Sequence, residues 1–158
     1  MNLVVVGTGQ SLRGDDGAGL AAVETWHKLY PSAQDPRIRI ELTELPGLAL
    51  LDLLADAQAA IIVDALKSGS APGTIRLLNQ DDLAAFGEGT GSAHGWGVAE
   101  TLTLGKQLEP EKLPDQLSMI TIEAGGLELG RGLSQEVQNA LPLAARLIEE
   151  QVQRFLAV

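Results

Sequence analysis

Apolar and polar positions along this chain fall into short blocks of two periods. Leu3-Val4-Val5-Val6 is an unbroken apolar run and predicts a buried strand over 2–7. Leu20, Val23, Trp26 or His27, and Tyr30 recur at helical spacing, so 17–30 reads as a helix that Pro31 ends. Residues 37–42 alternate, with Ile38, Ile40 and Leu42 on one face, as a second strand would. Leu48 to Ala55 returns to helical spacing after Pro46-Gly47. Residues 59–63 are again continuously apolar and run into Asp64, which predicts a central strand covered on both faces. Ala71-Pro72-Gly73 marks a turn before a strand over 73–78. That connection is shorter than the dozen or so residues a parallel crossover needs, so this strand should run antiparallel at an edge.

The second half repeats the alternation. A glycine-rich loop over 87–97 contains His94, a helix follows over 98–108, and a last strand spans 117–122. Ser134 caps a long final helix reaching about Leu156, with Val137, Leu141, Ala144, Ala145, Ile148, Val152 and Phe155 on its apolar stripe. Strands alternating with helices predict a three-layer α/β/α sandwich. Its sheet should be twisted, mostly parallel and of about five strands, with one antiparallel edge strand. The 158 residues suit one domain spanning 1–158.

Composition narrows the partners. With 45% hydrophobic residues but 3% aromatic, the core must be built of Leu, Ile, Val and Ala. A formal net charge of −10 disfavours nucleic acid and anionic membranes and leaves a basic peptide open. The chain has no cysteine, so disulfides, thiolate metal sites and a cysteine nucleophile are excluded. No apolar run reaches about 18 residues and Met1 opens straight into the first strand, which points to a cytoplasmic protein.

The turn between the first strand and helix, Gly7 to Gly19 (GTGQSLRGDDGAG), carries the most chemistry. Glycine-rich strand-to-helix turns commonly cradle phosphate, and Gly9 to Gly14 has the spacing of half a P-loop. Asp15 and Asp16 stand where such a loop places Lys and Ser/Thr, and two carboxylates repel phosphate and attract cations. The spacing of Gly7, Gly9 and Gly14 also fails the dinucleotide fingerprint. In parallel sheets, sites form beyond the carboxyl ends of strands. Asp15 and Asp16 after the first strand, Asp64 after the third, and His94 in its loop all belong there, and together make a set of ligands for a divalent ion.

Each residue taken alone has a plainer role. One of Asp15 and Asp16 can cap the following helix, and Asp64 can cap a turn or pair with Lys67. A lone loop histidine is seldom a ligand, and His27 belongs to helix packing or solvent. Gly-x-Ser-x-Gly and His-Glu-x-x-His are both absent, which removes the α/β-hydrolase nucleophile elbow and the common helical zinc peptidases.

GTGQSLRGDDGAG, then IIVDAL with a later APGT turn, then SAHGWGVAETL and the Gly132-Leu133-Ser134 segment, resembles the nickel–iron hydrogenase maturation endopeptidases in order over nearly the whole chain. That family opens on Gly-x-Gly-Asn, an acidic pair and a glycine. Here Gly7 and Gly9 keep the glycines, Gln10 replaces Asn, and Asp16 stands where some members have Glu. The resemblance implies that Asp16, Asp64 and His94 are the metal ligands and catalytic set, with Asp15 supporting. It implies an endopeptidase that removes the C-terminal extension of a hydrogenase large-subunit precursor after nickel insertion, with nickel brought by the substrate. The metal would polarise the scissile carbonyl, activate water, or serve only as a docking anchor with Asp15 or Asp16 as base. A non-catalytic metallochaperone or assembly factor, and a metal-dependent hydrolase of another peptide or amide, are the competing readings.

Overall fold

The computed structural model describes residues 2–44, 47–86 and 97–158. Five strands form one sheet: β1 (Leu3–Thr8), β2 (Ile38–Thr43), β3 (Ala59–Leu66), β4 (Ile75–Asn79) and β5 (Gln116–Glu123). Their order is β2-β1-β3-β5-β4. All neighbours are parallel except β4, which runs antiparallel to β5 at the edge, as its short connection requires.

Helices α1 (Ala18–Leu29) and α5 (Gln135–Leu156) cover one face, while α2 (Ala49–Leu54), α3 (Gln80–Phe86) and α4 (Val98–Leu108) lie on the other. β1 and β3 are buried along their whole length, because both faces are covered. Odd positions of β1 and β3 (Leu3, Val5, Ile61, Val63) pack with Trp26, Ile148 and Phe155, and even positions (Val4, Val6, Ala60, Ile62) with Leu54 and Leu102. Trp26 takes the buried place in α1 and His27 is exposed, with Nε2 2.8 Å from the Gln34 side chain.

Three departures from the sequence reading bear on the site. β3 does not stop before Asp64 but continues to Leu66, pairing with β5 as far as Glu123. The carboxylate therefore projects from within the ladder rather than from the loop beyond it. A 3-10 turn (Gly14–Gly17) precedes α1, so the acidic pair lies on a separate tight turn. Helix α3 was not anticipated, although Asn79 Oδ1 accepts from the Asp82 N–H at 2.9 Å and Asp82 Oδ2 from the Asn79 N–H at 3.0 Å, a reciprocal cap with a readable Asn-x-x-Asp spacing.

Candidate active site at the sheet's carboxyl edge

From β1 the chain moves to β2 on one side, and then returns to β3 on the other. Strand order thus reverses between β1 and β3, and sheets of this kind bind ligands beyond the carboxyl ends of their strands at such a point. Asp16 follows β1 and Asp64 lies near the end of β3, with Gly7 opposite Val63 in the register, so the two acids flank that switch point. Both are buried, at 0% and 2% exposure.

The main chain fixes their positions. A Cβ on Gly19, in the first turn of α1, would lie 2.3 Å from the Val63 carbonyl oxygen and 2.6 Å from that of Thr8. Only glycine lets the helix start press on the two strand ends this closely. Gly9 has φ +143°, and a Cβ there would meet the Asp16 carbonyl oxygen at 2.0 Å. The loop between them is tied on three sides. The Gln10 N–H donates to Asp16 Oδ2 at 3.0 Å, the Ser11 N–H and hydroxyl both donate to Glu44 Oε1 at 2.8 Å, and the Gly130 N–H donates to the Leu12 carbonyl at 2.8 Å. The two hydrogen bonds from Ser11 hold the Glu44 carboxyl below its ordinary range.

The adjacent acids have separated roles, and both carboxylates reach away from the helix they precede. Asp15 accepts from the N–H groups of Gly125 (2.7 Å), Gly126 (3.3 Å) and Ser134 (2.6 Å), and from the Ser134 hydroxyl (2.8 Å). Burial alone would raise its pKa, but the bonds from Ser134, Gly125 and Gly126 outweigh burial and lower it. Asp15 is thus an ionised latch that pins the loop after β5 and the start of α5 onto the 3-10 turn. Asp16 points back toward β1, and Asp64 Oδ1 accepts the Ala65 N–H at 2.9 Å. Asp16 and Asp64 each make further interactions beyond these. Lys67, an expected partner of Asp64, donates instead to the carbonyl oxygen of Gly125 at 2.6 Å.

Glu123, at the end of β5, went unnoticed in the sequence. It is 3% exposed and accepts the Ser68 N–H at 2.8 Å and the Ser68 hydroxyl. A charged residue closing the strand pattern Met119-Ile120-Thr121-Ile122 was its only sequence signal. His94 lies outside the described residues. Among the described residues no three His, Cys, Asp or Glu side chains gather as a metal site. Asp16 and Asp64 supply oxygen donors, which suit a divalent ion held jointly with ligands from elsewhere.

Known proteins resemble this chain in sequence and fold. The HycI hydrogenase maturation protease family profile matches residues 45–151. The hydrogenase expression/formation protein HupD of Rhizobium leguminosarum bv. viciae is 30% identical over 144 residues, spanning 90% of this chain and 69% of that protein. The hydrogenase 2 maturation protease of Escherichia coli K12 is 27% identical over 158 residues, 99% of this chain and 90% of that one. The solved hydrogenase maturating endopeptidase HybD from E. coli superposes with a TM-score of 0.82 at 25% identity, covering 98% of this chain and 93% of its own. A strand-order switch flanked by two buried acids, the shared fold and the profile match together establish that this chain belongs to the hydrogenase maturation protease family.

Proposed function

We propose that this chain cleaves the C-terminal extension from a nickel–iron hydrogenase large-subunit precursor, engaging nickel carried by that precursor through Asp16, Asp64 and His94. The observation that carries the reading is the burial of Asp16 and Asp64 on either side of the β1–β3 switch point in a chain of the maturation protease family. Two carboxylates and an imidazole make a set with open positions, and a chain without cysteine adds no soft donor. Such a set holds nickel weakly alone and well when the substrate contributes ligands. The bound ion would act as an anchor and Lewis acid beside the scissile carbonyl.

The chain's own part in hydrolysis falls to Asp16. Asp15 serves as the latch through four hydrogen bonds, and Asp16 is the member of the acidic pair that borders the β1–β3 switch point, so the base is assigned to Asp16. The Asp16 carboxylate takes a proton from the attacking water as the C–O bond forms, and returns it to the amine as the C–N bond breaks. The test is incubation of nickel-loaded and nickel-free precursor with the protein, followed by mass measurement of the large subunit. Asp16→Asn and Asp64→Asn should each slow the shortening of the loaded precursor by about 100-fold or more. A stable uncut complex would favour the assembly-factor reading, and equal cleavage of nickel-free precursor under chelation would refute recognition through nickel.

A further inference from the structure

The face of the sheet beneath α2 and α4 is apolar through Val4, Val6, Ala60, Ile62 and Met119, and then turns polar in a single row. Continuing each strand by two residues on that face gives Thr8 in β1, Asp64 in β3 and Thr121 in β5. The register sets Thr43 opposite Thr8, Asp64 opposite Thr121, and Gly7 opposite Val63, one step before Thr8 and Asp64. Three strands thus place hydroxyls on both sides of the Asp64 carboxylate. Thr8 Oγ1 differs from the others: among the described residues it is the one buried side-chain oxygen or nitrogen with no hydrogen-bond partner. The residue is 6% exposed.

A buried hydroxyl without a partner destabilises the fold, and valine at this position would extend the apolar face of Val4 and Val6 at similar shape. Such a group is accounted for when its partner arrives with a ligand. We propose that Thr8 is a substrate-binding residue whose hydroxyl donates to a main-chain carbonyl oxygen of the precursor segment laid across the ends of β1 and β3. The inference rests on the peptidase reading above. The chemistry selects a carbonyl because Asp16 and Asp64, given to the nickel in that reading, are acceptors and offer nothing to peptide C=O. The Thr8 hydroxyl supplies the missing donor. It is covered in the free protein, so the partner reaches it as the covering atoms part on binding.

The experiment measures KM and kcat for nickel-loaded precursor, together with melting temperature, for wild type, Thr8→Val, Thr8→Ser and Asp64→Asn. Thr8→Val should melt a few degrees higher and show a KM raised about 10-fold with kcat little changed, the signature of a lost contact made equally in ground and transition states. Thr8→Ser keeps the donor and should hold KM within about threefold of wild type. An unchanged KM in Thr8→Val, a lowered melting temperature there, or an equal defect in Thr8→Ser would each overturn the contact. Wild-type processing by Asp64→Asn would instead remove Asp64 from the site, whereas no shortening of the precursor by the wild-type protein would remove the peptidase reading, and the Thr8 contact with it.

Discussion

Replacing Asp15 tests the latch most directly, because one side chain holds together segments more than a hundred residues apart. Its carboxylate is 1% exposed and accepts four hydrogen bonds, from Gly125, Gly126 and twice from Ser134. A hydrogen bond to a charged group contributes about 1.5–3 kcal/mol, but Gly126 is exposed, and water can satisfy its N–H once the acid is gone. The cost of burying the carboxylate offsets part of the remaining three bonds, so the net loss for Asp15→Ala should be about 3–5 kcal/mol, a large fraction of the roughly 5–15 kcal/mol available to a domain. At about 2–4 °C per kcal/mol this lowers the melting temperature by roughly 6–20 °C. Urea titration followed by circular dichroism gives the free energy directly. Combining Asp15→Ala with Ser134→Ala should give a non-additive double mutant, since the Ser134 hydroxyl donates one of the four bonds while its N–H bond survives in Ser134→Ala. The pH dependence follows from the lowered pKa. Below about pH 4 the unfolded chain binds a proton that the folded carboxylate still refuses. The Asp15 contribution is thus full above that range and disappears as pH falls through the folded pKa, where the variant and wild-type curves converge. An Asp15→Ala midpoint within about 0.5 kcal/mol of wild type at neutral pH would refute the latch.

Gly19→Ala should destabilise by about 2–3 kcal/mol or more and abolish precursor processing, because its Cβ would fall 2.3 Å from the Val63 carbonyl oxygen, a main-chain atom that cannot swing aside. A thermal melt and a cleavage assay check this, and a wild-type melt would show that α1 does not press on β3 as described. Glu149 accepts the indole N–H of the fully buried Trp26 at 2.9 Å, so Glu149→Ala should cost about 1–3 kcal/mol in denaturant titration, with Glu149→Gln milder because it keeps an acceptor.

What the sequence discloses and withholds divides along physical lines. The core strands were legible because doubly covered strands must be apolar throughout, and 59–63 is such a run. Its true end was not, because Asp64 interrupts the pattern while the ladder continues through Ala65 and Leu66. The antiparallel edge was legible from loop length alone. At the site, the acidic pair stood out as chemically odd for a glycine-rich turn. The division of labour between Asp15 and Asp16 could not be read, because Asp15 is defined by donors 110 to 119 positions away. Helix capping, the plain local alternative, gave way to these distant partners. Thr8 escaped notice for a related reason, since its significance lies in the cross-strand row, and Glu123 because its partner, Ser68, is 55 positions away.

The arrangement of the two buried acids follows from glycine more than from side-chain packing. Gly9 sets the exit from β1 against the Asp16 carbonyl, and Gly19 sets the entry to α1 against the Val63 carbonyl, one residue before Asp64. Each contact is backbone on backbone, so the acids are placed by the parts of the chain least able to relax. Side-chain packing further in, among Val5, Ile61 and Trp26, can tolerate volume changes without shifting the acids, whereas a single methyl at position 9 or 19 cannot be absorbed. The Asp15 latch then adds the third constraint by binding the turn that carries Asp16 to the end of β5. With Gly7 opposite Val63 in the register, these constraints put the two acidic side chains on either side of one switch point, so the divalent ion of the proposed reading would meet oxygen donors already set in place by main chain rather than by side-chain packing.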